Sequence, residues 1–485
     1  MSVEIFKYLM TAIFVIITFY FSYIGMKKTK CLKSFAIGNG DMSPYIIGIT
    51  MASSIASTAT FVINPGFVYT HGLSALAHYA IAGGLGVITA FLLLTNGFRK
   101  HGVSSGALTL PSWIQGRYGH RSLSTFFAIT NLLSITFVVL ILVGCSIIFK
   151  SMFPISQNMA LTLILLFVFA YVLMGGTYAH AYTNTFQSIL MLGISICLFV
   201  GGLKYFDGGF FTSLESVSQN FAKFINPESS LYYDFFSVFL SSFIVTFALM
   251  LQPHIITKVL YIKSDKDVKK FLLSTFLTYI CFNLVLFVGL YAQLSGVEVI
   301  RQDATMAQYL LFEYSSPIGK YFVSFVFLAL FAAGLSTLDG ILVALSSMVA
   351  NDIFIPFKKN LTSEQSLSLS RYVLVAIGLI SFAIAWSPPK LVGLFAQKGV
   401  YGLAAATFGP IVLGILSKKT YYSVTSMFVI SVVPASIHFY LNIWGGVLNP
   451  SVSAAYGIIC SIGLIVLFKA KVFLNNSTNL QEQKS

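Results

Sequence analysis

Ser336 and Thr337 stand side by side in a long apolar stretch, and Ala333 precedes them by three and four residues. That spacing puts all three on one helical face. Asp339 follows within the same turn, and Ser346 and Ser347 come further along the same stretch, Phe331 to Asp352. Hydroxyl and carboxylate oxygens suit a hard cation such as sodium. An aspartate inside a membrane-length apolar run is costly, and its default reading is functional. The competing reading of the two hydroxyls is a bond back to the preceding helical turn. On the cation reading, this stretch is half of a site, and the rest of the chain must supply the other half.

The composition says where such a site would sit. Of 485 residues, 57% are hydrophobic and only 9% are charged, against about 25% charged in soluble domains. Repeated apolar runs of membrane length point to spanning helices and not to a barrel. The expected fold is therefore an all-α polytopic membrane protein with about thirteen transmembrane helices. The net charge of +14 gathers in short loops, such as Lys27, Lys28, Lys30 and Lys33. Such loops mark the cytosolic side and meet anionic lipid, with no nucleic acid implied. They put the N-terminus outside and the C-terminus in the cytosol. Five scattered cysteines without a CxxC pair imply neither a disulfide frame nor a metal site. No nucleophile–base pair stands out. Gly83-Gly84-x-Gly86 lacks the following Lys-Ser/Thr of a phosphate loop. An enzyme is not expected, and no organic cofactor.

The helices that must position the site follow from the pattern. Residues 4–26 read as a first, retained span. The second, about 44–66, carries Met51-Ala-Ser-Ser-Ile-Ala-Ser-Thr-Ala-Thr60 in its middle. Little bulk and many hydroxyls suit a helix that unwinds beside a cavity at mid-membrane. Residues 104–120 read as a cytosolic linker with a short helix. The seventh span, about 232–256, ends at Gln252-Pro253-His254, and Lys258 opens a basic cytosolic loop. His180 and His254 read as turn or interface residues at cytosolic span ends. The ninth span, about 319–350, is the stretch described first. Residues 1–470 form one transporter domain, and 471–485 a polar, disordered cytosolic tail.

Five segments in chain order then carry a family likeness: residues 106–117 (GALTLPSWIQGR), 175–187 (GGTYAHAYTNTFQ), Gln252-Pro253-His254, Ala333-Gly-Leu-Ser336-Thr337, and 402–410 (GLAAATFGP) with Lys418-Lys419 after it. In these the chain resembles the sodium:solute symporters, the group that includes proline, pantothenate, sialic acid, monocarboxylate and sugar carriers. The resemblance implies a LeuT-type fold of two inverted five-helix repeats, 44–203 and 232–416. Residues 4–26 and 421–469 would be peripheral. It implies a sodium site of backbone carbonyls at Ser53, Ala56 and Ala333 and hydroxyls at Ser336 and Thr337. Many members have an aspartate where Asn184 stands here. Asp339 then has two readings. It replaces that charge in a second cation or proton site with Asn184 and Gln187, or it is a hydrogen-bonded structural acid.

The solute cavity is expected just outside the sodium site. Candidate residues are Ser57, Thr58, Thr60 and Phe61 on the second span, His78 and Tyr79 on the third, and Phe137 on the fourth. Ser241, Ser242 and Phe243 on the seventh and Gln397 and Lys398 on the eleventh complete the set. Lys398 is placed to snorkel to the outer surface, and pointing inward it would suit a carboxylate. The span-two pattern is closer to the pantothenate and monocarboxylate branches, which favours a small organic carboxylate. The expectation is sodium-coupled uptake by a monomer in a bacterial inner membrane. Its alternatives are a proton-coupled symporter, or a solute sensor with a transporter-like fold. The short tail after the last span, with no signalling module, speaks against a sensor.

Overall fold

The structure is a computed structural model. It describes residues 1–39, 42–358, 361–417 and 423–482, with side chains to residue 469. Lys359, Lys418 and Lys419, which contribute to the expected cytosolic clusters, lie outside the described residues. Among the described residues every regular element is helical.

Ten continuous helices are long and apolar enough to cross a membrane, and two bent pairs pass the same test together. One continuous helix, Gln157–Phe206, carries the non-helical Gly176 in its middle (φ 50°, ψ −132°). Counted as two spans, it brings the crossings to thirteen. Gly176 is required there because its φ lies in the left-handed region. A Cβ would also meet the Phe35 ring at 2.4 Å.

The bent pairs are the second span, Pro44–Ile55 and Ala59–His71 (50°), and the seventh, Phe236–Leu249 and Pro253–Tyr261 (62°). They lie five spans apart, as two broken repeats require. The ninth span, Gly319–Phe357, has its most apolar window fully buried, against 22% for the first span, Val3–Lys28. The hydroxyl-bearing helix is therefore the axis of the bundle.

Several boundaries depart from the sequence reading. The seventh span does not end at Gln252-Pro253-His254. Pro253 occupies the first turn of a new helical half, where its missing N–H costs nothing. Lys258 is consequently not a loop residue but a buried one, 1% exposed. The third span runs to Ser105. Arg99 is buried in it, donating to the Ile262 carbonyl (2.9 Å) and the Lys263 carbonyl (2.7 Å) and pairing with Asp265. Past Lys471, where a disordered tail is expected, the last helix continues to Glu482.

The linker helix, Leu110–Tyr118, starts at Thr109, whose hydroxyl accepts the Ser112 amide and donates to Asp352 at 2.5 Å. Trp113 stacks on Phe98 and donates to its carbonyl at 2.9 Å. Arg117 donates to the Gly414 and Ser417 carbonyls at the end of the eleventh span, Val392–Leu416. Cations at those orphan carbonyls are favourable. Together these bonds clamp the linker against the neighbouring ends of the third, ninth and eleventh spans.

Candidate ion and solute sites

The second span breaks because its hydroxyls compete with the helix ladder. The Ser57 amide turns to the Ile55 carbonyl (3.1 Å), and the Ala59 amide is taken by the Ser57 hydroxyl (3.1 Å). Ala56 sits between the halves with φ −85° and ψ 77°. The Ser53 carbonyl thereby loses its ladder partner. It receives instead the Ser336 and Thr337 hydroxyls of the ninth span, each at 3.3 Å. Ser336 also bonds back to Ala333 at 2.8 Å, which is the back-bond of the competing sequence reading.

The crossing is tight because the ninth span is small there. A Cβ on Gly334 would lie 2.1 Å from the Cys145 sulfur and 2.7 Å from the Thr58 hydroxyl. Asn184 on the sixth span braces the site from behind, donating to the Ser336 carbonyl at 2.8 Å. Ser53, Ala56, Ala333, Ser336 and Thr337 are all fully buried. Oxygens of Ser53, Ala333, Ser336 and Thr337 meet here at helix-fixed positions, and the donor set fits a hard cation such as sodium.

Asp339 does not bond to Asn184 or Gln187. Its carboxylate faces His180 Nδ1 at 2.7 Å, accepts the Gly340 amide at 2.7 Å, and accepts the Tyr171 hydroxyl at 3.2 Å. His180 is 2% exposed and part of the core at this level, not a turn residue. Asn184 Oδ1 and both polar ends of Gln187 have no partner among the described residues.

Next to the break lies a cavity of about 120 Å³. It is lined by Ser57 and Thr60 of the second span, Tyr79 of the third, Phe137 of the fourth and Gln397 of the eleventh. All five are candidates from the sequence. Gln397 donates to the Tyr79 hydroxyl at 3.2 Å, and Tyr232 donates to the same oxygen at 3.0 Å.

The other candidates are elsewhere. Thr58 faces Cys145 at 3.9 Å, and Phe61 packs edge-on against Phe282. His78 is held by the Ser237 carbonyl at 3.0 Å and Ser451 at 3.3 Å. Ser241 donates to the Ser237 carbonyl and Ser242 to the His78 carbonyl. Phe243 lies against Gly86. Lys398 is exposed, as a snorkelling side chain is. Apart from Lys398, these residues are engaged in packing and bonds within and between helices, which a period alone does not distinguish from lining.

Sequence reasoning missed Ser54, Asn64, Thr246, Gln252 and Tyr401, and the whole contribution of the eighth span through Tyr279 and Asn283. Gln252 was findable as a polar residue at a helix break. The eighth span gave no signal beyond two polar residues in an apolar run. Among the described residues, no Lys, Arg, His, Asp or Glu lines the cavity.

Two broken helices, an oxygen-lined helix crossing and an adjoining cavity are the architecture of an ion-coupled secondary carrier. The sodium:solute symporter family model matches residues 35–423, and the chain belongs to that family. It is 24% identical over 422 residues to a sodium/pantothenate symporter of Haemophilus influenzae, covering 84% of this chain and 85% of the relative. It is 25% identical over 415 residues to a sodium/proline symporter of Salmonella typhimurium, covering 81% and 79%. Among solved structures, a Na+-coupled sialic acid symporter in a substrate-bound outward-open state superposes with TM-score 0.75 at 19% identity, covering 95% of this chain and 96% of that one. A nucleobase-cation-symport-1 family transporter gives 0.58 at 14%, covering 90% and 95%. The fold is LeuT-type. The protein is an integral membrane transporter, not an enzyme, and it couples solute uptake to sodium.

Proposed function

We propose that sodium binds between the Ser53, Ala56 and Ala333 carbonyls and the Ser336 and Thr337 hydroxyls, and that the solute is a small organic carboxylate held in the adjoining cavity. The observation that carries the ion site is the release of the Ser53 carbonyl towards both hydroxyls. Bound sodium would hold the first half of the second span against the ninth and so shape the cavity wall. Alternating access then exposes both ligands to the other side. Sodium and solute must tighten each other by the same factor.

The carboxylate is supported by the cavity itself. Ser57, Ala59 and Thr60 line it, so the N-terminal end of the Ala59–His71 half opens onto the solute. A half-helix N-terminus favours an anionic group. Pantothenate and proline, named in two relatives, both carry a carboxylate. Gln252 offers an unpartnered Oε1 on the same wall, which fits an N–H or O–H of the solute.

Asp339 belongs to the scaffold on this reading, since three donors already engage its two oxygens. Asn184 and Gln187 are the residues to substitute in a search for a second cation. Both sites form within one chain, so a monomer suffices. The Lys27–Lys28 end of the first span supports an outside N-terminus, a cytosolic C-terminus and a cell-membrane location.

The test is uptake by proteoliposomes under an inward sodium gradient, with a panel of acids, amino acids and sugars. An acid should accumulate against its own gradient only when sodium is present. Sodium-dependent accumulation of a sugar alone would rule out the carboxylate.

A further inference from the structure

Lys258 is a buried cation that neither the ion site nor the cavity wall explains. It lies in the second half of the seventh span and is 1% exposed. Its ammonium donates to the Thr50 carbonyl at 3.2 Å and to the Ser54 hydroxyl oxygen. Thr50 and Ser54 are one turn apart on the first half of the second span. An ionisable side chain at this depth calls for a functional reading.

The bond has a consequence for Ser54. A serine hydroxyl has one proton and two lone pairs. Its usual helical acceptor would be the Thr50 carbonyl four residues back, but that oxygen takes the ammonium. Ser54 makes no other side-chain hydrogen bond among the described residues. It also lines the solute cavity, together with Ser57 and Gln252. Its proton is therefore free for an acceptor in the cavity. The ammonium behind it polarises the O–H and makes it a stronger donor.

We propose that Ser54, backed by Lys258, is the hydrogen-bond donor that recognises the carboxylate of the solute, with Lys258 as a positioning residue that acts through Ser54 and does not itself touch the solute. This rests on the carboxylate reading above. It explains how a cavity wall without a charged side chain can still select an anion. It also links recognition to coupling, because Ser54 is adjacent to Ser53 of the proposed ion site.

The experiment uses purified full-length protein in sodium, with binding read by thermal shift. The probes are proline, pantothenate and pyruvate, and the one that shifts wild type most is carried forward with its primary amide. Wild type should favour the acid over the amide. Ser54→Ala should weaken the acid about 10-fold or more and leave the amide within about 2-fold, the span expected for a hydrogen bond to a charged group. Lys258→Met should shift selectivity the same way, and Lys258→Arg should restore it. A merely structural lysine would change stability without changing the acid-to-amide ratio. Equal weakening of acid and amide in Ser54→Ala, or no change in either, overturns the proposal. If no acid shifts wild type while sodium alone does, the carboxylate reading falls and this proposal with it. A wild type that sodium does not shift indicts the ion site instead.

Discussion

At the crossing of the second and ninth spans, the oxygens belong to the backbone or to hydroxyls fixed by helix rotation. In the adjoining cavity they belong to side chains from five spans, each contributing one to four polar groups. The crossing is dense enough that Gly334 has no room for a Cβ, whereas the cavity keeps about 120 Å³ open. On the proposed reading, the ion is recognised by geometry that little short of repacking the bundle alters, and the solute by groups that can be exchanged singly. A carrier built this way can keep its coupling ion while its substrate changes.

Breaking the rigid half should have the largest effect. Gly334→Val would drive the second, fourth and ninth spans apart. It should abolish sodium binding to purified protein and lower stability by about 1–3 kcal/mol, the usual cost of overpacking, read as a lower melting midpoint. A variant that binds sodium normally would show that the crossing is not the ion site. Asp339→Asn should come next. It disturbs the hydrogen bonds with His180, Tyr171 and Gly340 and should cost about 1–3 kcal/mol, while the number of sodium ions carried per solute stays unchanged. A changed stoichiometry would move Asp339 out of the scaffold.

In the exchangeable half the effects should be smaller and selective. Gln397→Ala removes the bond to Tyr79. It should weaken solute binding about 5-fold, from about 1 kcal/mol, with sodium affinity measured without solute unchanged. Lys398→Ala should change uptake by less than about 2-fold, because the side chain is exposed and makes no contact with the cavity. A large loss there would place a charge in the solute path.

The two halves also differed in how much the chain disclosed. The crossing proposed as the ion site was legible as a hydroxyl face because Ala333, Ser336 and Thr337 lie within five residues and share one side of the helix. The Ser- and Thr-rich run of the second span announces its own break. The cavity was half legible. Ser57, Thr60, Tyr79, Phe137 and Gln397 line it, but His78 and Ser242 spend their polar groups on neighbouring helices and Ser241 on its own preceding turn. No periodicity shows which neighbour a buried polar side chain meets. Lys258 was misread for a related reason. A lysine five residues after a proline resembles the start of a basic loop, and only the restarted helix carries it into the interior.

The account stands most directly on binding of radioactive sodium to purified wild type and to the Ser336→Ala/Thr337→Ala double variant, without solute. Each hydroxyl removed should cost about 1.5–3 kcal/mol of a contact to a charged partner. The double variant should therefore bind sodium on the order of 100-fold or more weakly, while circular dichroism shows the helical fold retained. Wild-type sodium affinity in a folded double variant would contradict an ion site at the crossing of the second and ninth spans.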